Sequence, residues 1–284
     1  MELLIKRLNI IGLPRDVVRL ISNWLTTRYF YVSVDGNNSY IHDTSVGTVQ
    51  GSILGPMLYS LFVSPLTELE KITLFADDNY ILVWNKNKDM LSIDMQNKLN
   101  RIAIWLSNSG LKVNETKTEL CLFHRNDHPP IHLDFNDEIL TSKNKMNVLG
   151  VSFDSKLNWQ SQVEQTLQKS RRALHAINLI KRYFNKKELL QLVTSNYYSI
   201  LYYNSEIWHI PSLTLNLKKN LLSASAAALK ICVKFYDSTI SFANLHSITN
   251  RAEPNKIMQY KLAILLFKVY QFRNNFMGFY LPFL

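Results

Sequence analysis

Two cysteines, Cys121 and Cys232, in 284 residues are too few for a disulfide framework. The first residues, Met1-Glu-Leu-Leu-Ile-Lys-Arg7, lack the ordered basic, apolar and small-residue regions of a signal peptide. The expected compartment is therefore intracellular and reducing. Long apolar runs are missing too. No window reaches the roughly 18 uninterrupted apolar residues that a spanning helix needs, because Lys268, Gln271, Arg273, Asn274 and Asn275 cut the apolar stretch after Lys261. A soluble chain without a membrane partner is expected. Glycine and proline number only 8 each, which excludes collagenous and linker-like sequences. Acidic residues are scarce: 22 Asp and Glu against 32 Lys and Arg leave a net charge of +10, which favours a polyanionic partner. What is abundant is apolar, at 47% of residues, enough for one or two ordinary cores.

Residues 3–25 predict two helices broken at Gly12-Leu13-Pro14. Pro14 opens the second, where a missing N–H costs nothing, and Val17, Val18, Ile21 and Leu25 recur at helical spacing. From Arg28 the period changes to two. Residues 29–34 and 39–44 predict a hairpin around Asp35-Gly36-Asn37-Asn38. A helix over 59–69 follows, then a second hairpin, 72–76 and 80–84, joined by Asp77-Asp78-Asn79. Residues 90–107 carry a helical stripe of Met95, Leu99, Ile102, Ala103 and Leu106 that ends before Gly110. Short strands are expected over 119–124, 139–140 and 148–153. Beyond about residue 156 the strand signals stop, and 160–192, 193–207, 215–233 and 256–276 read as helices. The fold class is α+β, with a mixed first part over 1–155 and a helical second part over 156–284.

Asp77 and Asp78 stand side by side at the tip of an apolar hairpin. Like charges repel, and neither carboxylate hides in a core without a counter-charge. One reading is a solvated acidic turn. The other is a shared divalent cation: Mg²⁺ is hard, takes oxygen ligands, and suits one or two carboxylates together with substrate phosphates. Upstream, Gly47-Thr48-Val49-Gln50-Gly51-Ser52-Ile53-Leu54-Gly55-Pro56 punctuates the passage from a strand into a helix. Gln50, Gly51 and Ser52 at such a bend can present N–H and hydroxyl donors to a sugar or phosphate, or simply form a loop.

Gln50-Gly51-Ser52-Ile53-Leu54-Gly55-Pro56 followed by Phe75-Ala76-Asp77-Asp78 resembles the reverse transcriptases of non-LTR (LINE-type) retrotransposons. Gly110-Leu111-Lys112-Val113-Asn114 with Lys117-Thr118 is similar to that family's next motif, and Leu149-Gly150-Val151 to its primer-grip strand. The resemblance covers residues 1–185 well and the remainder loosely. It implies a partial right-hand polymerase palm, an antiparallel sheet with helices, followed by a helical thumb and C-terminal region. It implies RNA-directed DNA polymerase activity on an RNA template paired to a DNA primer, with deoxynucleoside triphosphates (dNTP) and Mg²⁺, or Mn²⁺, in two-metal phosphoryl transfer. On this resemblance Asp77 is the main catalytic metal ligand and Asp78 a weaker one. Gln50, Gly51 and Ser52 line the template and nucleotide pocket, Lys117 lies near the nucleotide phosphates, and Leu149 and Gly150 position the primer end.

Two departures accompany the resemblance. Thr48-Val49 stands where the family usually has Val-Pro. The family also has a first catalytic Asp on a palm strand shortly before a helix like Leu3-Leu4-Ile5-Lys6-Arg7-Leu8, and this sequence starts at that helix. Asp16, Asp35 and Asp43 lack the context to replace that residue. The expectation is a truncated polymerase, inactive alone, or a non-catalytic remnant that still binds RNA–DNA duplex.

Lys169, Arg171, Arg172, Lys181 and Arg182, with Lys186 and Lys187, form a helical stretch free of acids until Glu188. Leu174, Ile177 and Ile180 are expected to face inward and the cations to face a nucleic-acid backbone; a solvated cationic helix is the alternative. Cys121, His124, His128 and His132 have a superficial zinc-ligand spacing, but Pro129-Pro130 breaks any helix that would align the histidines. Trp105, Trp159 and Trp208 read as packing residues, and His175 and His209 as core or surface histidines.

Overall fold

The computed structural model describes residues 2–44, 47–124, 128–136, 138–233, 244–245, 249 and 252–275. The aromatic stretch 276–284 and the last residue of the helix expected over 256–276 lie outside them. Helices alternate with short antiparallel strands in the first part and dominate the second, an α+β fold. The chain divides into two compact units, Met1–Thr118 with Ile131–Thr141, and Glu119–Pro130 with Ser142–Leu284.

In the first unit, helices Glu2–Ile10 and Arg15–Thr26 flank Gly12, whose φ of +84° turns the chain. Val18, Ile21 and Leu25 bury with Leu4, Leu8 and Leu58, while Val17 stays exposed at the margin of the stripe. The helix expected over 59–69 starts earlier, at Leu54, and is two helices, Leu54–Val63 and Pro65–Glu70. Pro65 has no N–H to continue a ladder and opens the second one. A second cluster gathers Leu66, Ile72, Ile102 and Leu106 beneath helix Lys88–Asn108. Asn87 caps that helix, its side chain accepting from the Asp89 and Met90 amides at 2.8 and 3.2 Å. Glu70, almost fully buried, is held by Arg101 through a two-pronged contact whose second arm, Nη2 to Oε2, is 2.8 Å. Those Arg101 hydrogen bonds, against the opposing effect of burial, hold the Glu70 carboxyl below its usual range.

Among the described residues the strands pair as five two-stranded antiparallel ribbons. Two of them follow one another on a single hairpin: one pairs Tyr29 with Asp43 and Phe30 with His42, the next Ser33 with Asn38 and Val34 with Asn37. Tyr31-Val32 therefore face three residues, Ser39-Tyr40-Ile41, and this extra residue bulges the return strand. Asp35 and Gly36, at φ +49° and +81°, close it as a two-residue turn, shorter than the four-residue turn expected, because both take the left-handed conformation. Strand His132–Phe135 pairs with Glu138–Thr141. Its outer edge is met by Gln96, which donates to the Asp134 carbonyl (2.7 Å) and accepts from the Asp134 amide (2.8 Å), as a neighbouring strand would.

The second unit is built on a core that includes Val151, Trp159, Leu167, Tyr197, Leu201, Trp208, Leu221 and Leu229. Ribbon Lys145–Val148 and Val151–Asp154 feeds helix Gln160–Ile180 through a turn organised by Asp154. That carboxylate accepts from the amides of Lys156, Asn158 and Trp159 at 3.2, 2.9 and 2.8 Å. Helix Lys186–Leu192 starts with a reciprocal cap between Asn185 and Glu188 and runs into a wider π-type turn, Val193–Tyr198. Short helices Ser199–Leu201 and Ser205–Trp208 follow, then the long helices Leu215–Val233 and Pro254–Asn275. Trp159 and Trp208 are buried and Trp105 half-buried, in keeping with packing roles.

Candidate active site

The acidic hairpin pairs Thr73 with Tyr80, Leu74 with Asn79 and Phe75 with Asp78, which leaves Ala76-Asp77 as a two-residue turn. The turn is tighter than the expected Asp77-Asp78-Asn79 joint because Ala76 takes a left-handed φ of +52°. Asp77 thus sits in the turn and Asp78 begins the return strand. Both are exposed. Asp78 Oδ2 accepts from Tyr80 Oη at 3.2 Å, two residues along and so on the same face.

Gln50-Gly51-Ser52 forms the second part of the site. The Ser52 amide donates to the Val49 carbonyl at 3.2 Å and Gly51 has φ +80°, the third position of a turn that only a left-handed residue completes. Ser52 Oγ then accepts from the Gly55 amide at 3.0 Å and ties the turn to helix Leu54–Val63. Gln50 presents an exposed side chain. Arg28 steadies the approach to this turn, donating from Nε to the Leu25 carbonyl (2.9 Å) and from Nη2 to the Gly47 carbonyl (2.8 Å). Tyr59, on the same helix, has its phenol pushed up first by burial and then by the negative charge of Asp77. The charge of Asp77 is thus felt on the helix that follows Gln50-Gly51-Ser52.

Lys117 ends the short turn Glu115–Lys117, its amide held by Asn114 Oδ1 at 3.2 Å and its side chain exposed. In the second unit, Leu149 and Gly150 form the two-residue turn between paired Val148 and Val151, with φ +47° and +79°. The strand expected through 148–153 is interrupted there because both residues are left-handed. Lys169, Arg171 and Arg172 are exposed on helix Gln160–Ile180, and Lys181 is half-buried. Arg182 is exposed, its guanidinium 4.7 Å from the Tyr183 ring centroid. Ile177 is buried and Leu174 half-buried as expected, but Ile180, where the helix gives way to a tighter turn, is exposed.

The oxygen donors of Asp77 and Asp78 have the hardness that a divalent cation prefers. They are two only: among the described residues no three His, Cys, Asp or Glu gather as a metal site. His132 Nδ1 is 2.9 Å from Thr141 Oγ1 in a ribbon, and burial above all pushes the Cys121 thiol up to about 11. His124 and His128 meet edge to face at 5.2 Å. No helix among the described residues is long and apolar enough to cross a membrane. Sequence reading passed over Arg28, Tyr59 and Tyr203. The signal for Arg28 was its place where the period changes from helix to strand; for Tyr203 it was the repeated Tyr-Tyr pairs at 197–198 and 202–203.

A family model described as reverse transcriptase (RNA-dependent DNA polymerase) matches residues 1–153. The chain is 28% identical to the RNA-directed DNA polymerase from mobile element jockey of Drosophila melanogaster, over 53% of this chain and 18% of that protein. It is 26% identical to a probable RNA-directed DNA polymerase from transposon BS of the same organism, over 63% and 21%. A third relative, from the Drosophila melanogaster transposon X-element, is 24% identical over 53% and 17%. The chain spans about a fifth of the length of the curated relatives it matches.

Proposed function

The chain belongs to the reverse transcriptase (RNA-dependent DNA polymerase) family, in its LINE-type retrotransposon branch, and from that premise we propose that it carries part of the core that copies an RNA template onto the 3′ end of a DNA primer. Residues 1–155 serve as a partial palm, and 156–284 as thumb and helical extension. The observation that carries the reading is the tight hairpin that exposes Asp77 in its two-residue turn and Asp78 at the start of its return strand, with the charge of Asp77 felt at Tyr59 on the helix that follows Gln50-Gly51-Ser52.

The family uses divalent metal ions; for this chain Mg²⁺, with Mn²⁺ as substitute, is the proposed cofactor. When bound, such ions activate the primer hydroxyl and neutralise the triphosphate. Asp77 and Asp78 are the ligands this chain offers. Gln50, Gly51 and Ser52 contact template and nucleotide, Lys117 the nucleotide phosphates, and Leu149-Gly150 the primer end. Lys169, Arg171, Arg172, Lys181 and Arg182 hold the duplex backbone. Among the described residues no third carboxylate joins Asp77 and Asp78 as a metal site; two carboxylates would hold a cation weakly, and displaced reacting groups cost orders of magnitude in rate. The chain alone is therefore slow or silent, and a further carboxylate must complete the site. The exposed cations of helix Gln160–Ile180 favour a second reading alongside this one, a duplex-binding role that needs no metal.

Primer extension on an RNA template, in Mg²⁺ and then Mn²⁺, beside Asp77→Asn, tests the first reading. Extension by the chain alone that Asp77→Asn abolishes establishes the activity and refutes incompleteness; silence that ends on adding a segment bearing another carboxylate supports both parts. Duplex binding tests the second. Arg172→Ala should weaken it on every sequence and lower the log–log salt slope by about one, and binding insensitive to salt refutes it.

A further inference from the structure

Tyr203 lies outside the family-matched residues 1–153, yet it touches the tip of the Lys145–Asp154 ribbon. Its Oη donates to the Leu149 carbonyl at 2.8 Å. Its ring lies over Gly150 at ordinary contact range, where a Cβ built on the glycine would lie 3.5 Å from Cε1. Leu149 holds φ +47°, a conformation that Cβ-bearing residues keep only where surroundings enforce it. The hydrogen bond from Tyr203 falls on the carbonyl of that residue.

Tyr203 is itself fixed from behind. The indole of fully buried Trp208 donates to the Tyr203 carbonyl at 3.0 Å. Lys261, paired with Glu206 at 3.0 Å, donates to the carbonyl of Tyr202. Tyr202 stacks on Tyr198 with centroids 5.2 Å apart and planes 8° from parallel. The phenol is thus an outstretched, half-exposed group on a backbone locked into the helical core, aimed at one carbonyl of one turn.

We propose that Tyr203 is a positioning residue for the primer terminus, setting the shape of the Leu149-Gly150 turn so that it meets the 3′ nucleotide of an RNA-paired DNA primer. This rests on the reading of that turn as the primer grip. It gives the helical region a part in polymerisation beyond backbone attraction: the helical core dictates the geometry of the turn.

The test uses the intact chain bound to an RNA template annealed to a DNA primer with 4-thiothymidine at its 3′ end. In the wild type, irradiation should crosslink the primer end to residues 145–154. Tyr203→Phe keeps the ring and removes the bond. It should cut that crosslink about fivefold at equal duplex occupancy, and raise hydrogen exchange of the ribbon amides by about the same factor, the weight of one neutral hydrogen bond. Faster exchange with an unchanged crosslink assigns Tyr203 a merely structural role and overturns the proposal while the grip reading stands. Absence of the wild-type crosslink, with duplex bound, overturns the grip reading and the proposal with it.

Discussion

Gly55 is the position where a single methyl group tests the Gln50-Gly51-Ser52 turn. It is the second residue of helix Leu54–Val63, where alanine ordinarily gains up to about 1 kcal/mol over glycine. Here the added Cβ would lie 2.9 Å from Ser52 Oγ, 3.2 Å from Thr48 Oγ1 and 3.4 Å from the Val49 carbonyl. The first distance is inside contact range. Ser52 cannot swing away freely, because its Oγ accepts from the Gly55 amide at 3.0 Å. Losing that cap costs about 1 kcal/mol, and crowding costs about 1–3 kcal/mol. The repulsive effects exceed the propensity gain, so Gly55→Ala should destabilise the helix start by about 1–2 kcal/mol. Native-state hydrogen exchange of the amides of residues 55–60 reads this locally, as an increase of about tenfold per 1.4 kcal/mol. Removing the obstructing hydroxyl should rescue part of it, with Ser52→Ala/Gly55→Ala less damaging than the sum of the singles by about 1 kcal/mol. Exchange that slows in Gly55→Ala would show that propensity wins and that the turn is not packed as described.

Glu70→Gln should cost about 1–2 kcal/mol at neutral pH, since a neutral amide cannot replace the charge-assisted bonds from half-exposed Arg101. Because the folded carboxyl titrates below its usual 4.5, the wild-type contribution is full above that pH and lost as pH falls through the lowered value. Thermal melts across that window should drop in the wild type and lack this component in Glu70→Gln. His209 gives a second acid-sensitive step: burial holds its imidazole below the usual 6.5, against a contact with Asn255 Oδ1 at 3.2 Å. Its contribution is present above 6.5 and lost as pH falls further, so His209→Gln should flatten the melting curve between neutral and mildly acid pH. Asp77→Asn should lower the Tyr59 ionisation towards its ordinary value, leaving the part due to burial. Phenolate absorbance in difference titrations against Tyr59→Phe detects this, and an unmoved Tyr59 would refute its proximity to Asp77.

Element types were legible wherever the period was long and clean. The helices of the first thirty residues and the one ending before Gly110 follow from apolar spacing and their breakers, whereas 160–192, expected as one helix, is two, Gln160–Ile180 and Lys186–Leu192, parted by a tighter turn over Lys181–Tyr183. Strand His132–Phe135 was passed over although Ile131, Leu133 and Phe135 alternate inward. The adjacent Pro129-Pro130 reads as loop, and the edge pairing comes from Gln96, distant in sequence. The Glu70–Arg101 clamp was invisible for the same reason: its partners are 31 residues apart, and only folding shows that the carboxylate is buried.

The errors inside the candidate site share one physical cause. Turn propensity assigned Asp77-Asp78-Asn79 to the tip because Asp and Asn favour turns, yet Ala76 took the left-handed position. The strand expected over 148–153 ran through Leu149-Gly150, yet Leu149 takes a positive φ, with a hydrogen bond from Tyr203 on its carbonyl. In both places a residue with a Cβ holds a conformation costing about 1 kcal/mol. Single-residue preference cannot reveal such a position, since it measures what a residue chooses without neighbours. The sequence therefore located the acidic and Leu-Gly stretches by chemistry and spacing, while the positive φ at Ala76 and Leu149, and the contact that Tyr203 makes with Leu149, appear only in the fold. Strain retained at a tip marks where the surroundings over-determine the backbone. Leu149-Gly150 is such a turn with Tyr203 behind it, which is why that contact, and not the Leu-Gly residues alone, is the place to perturb.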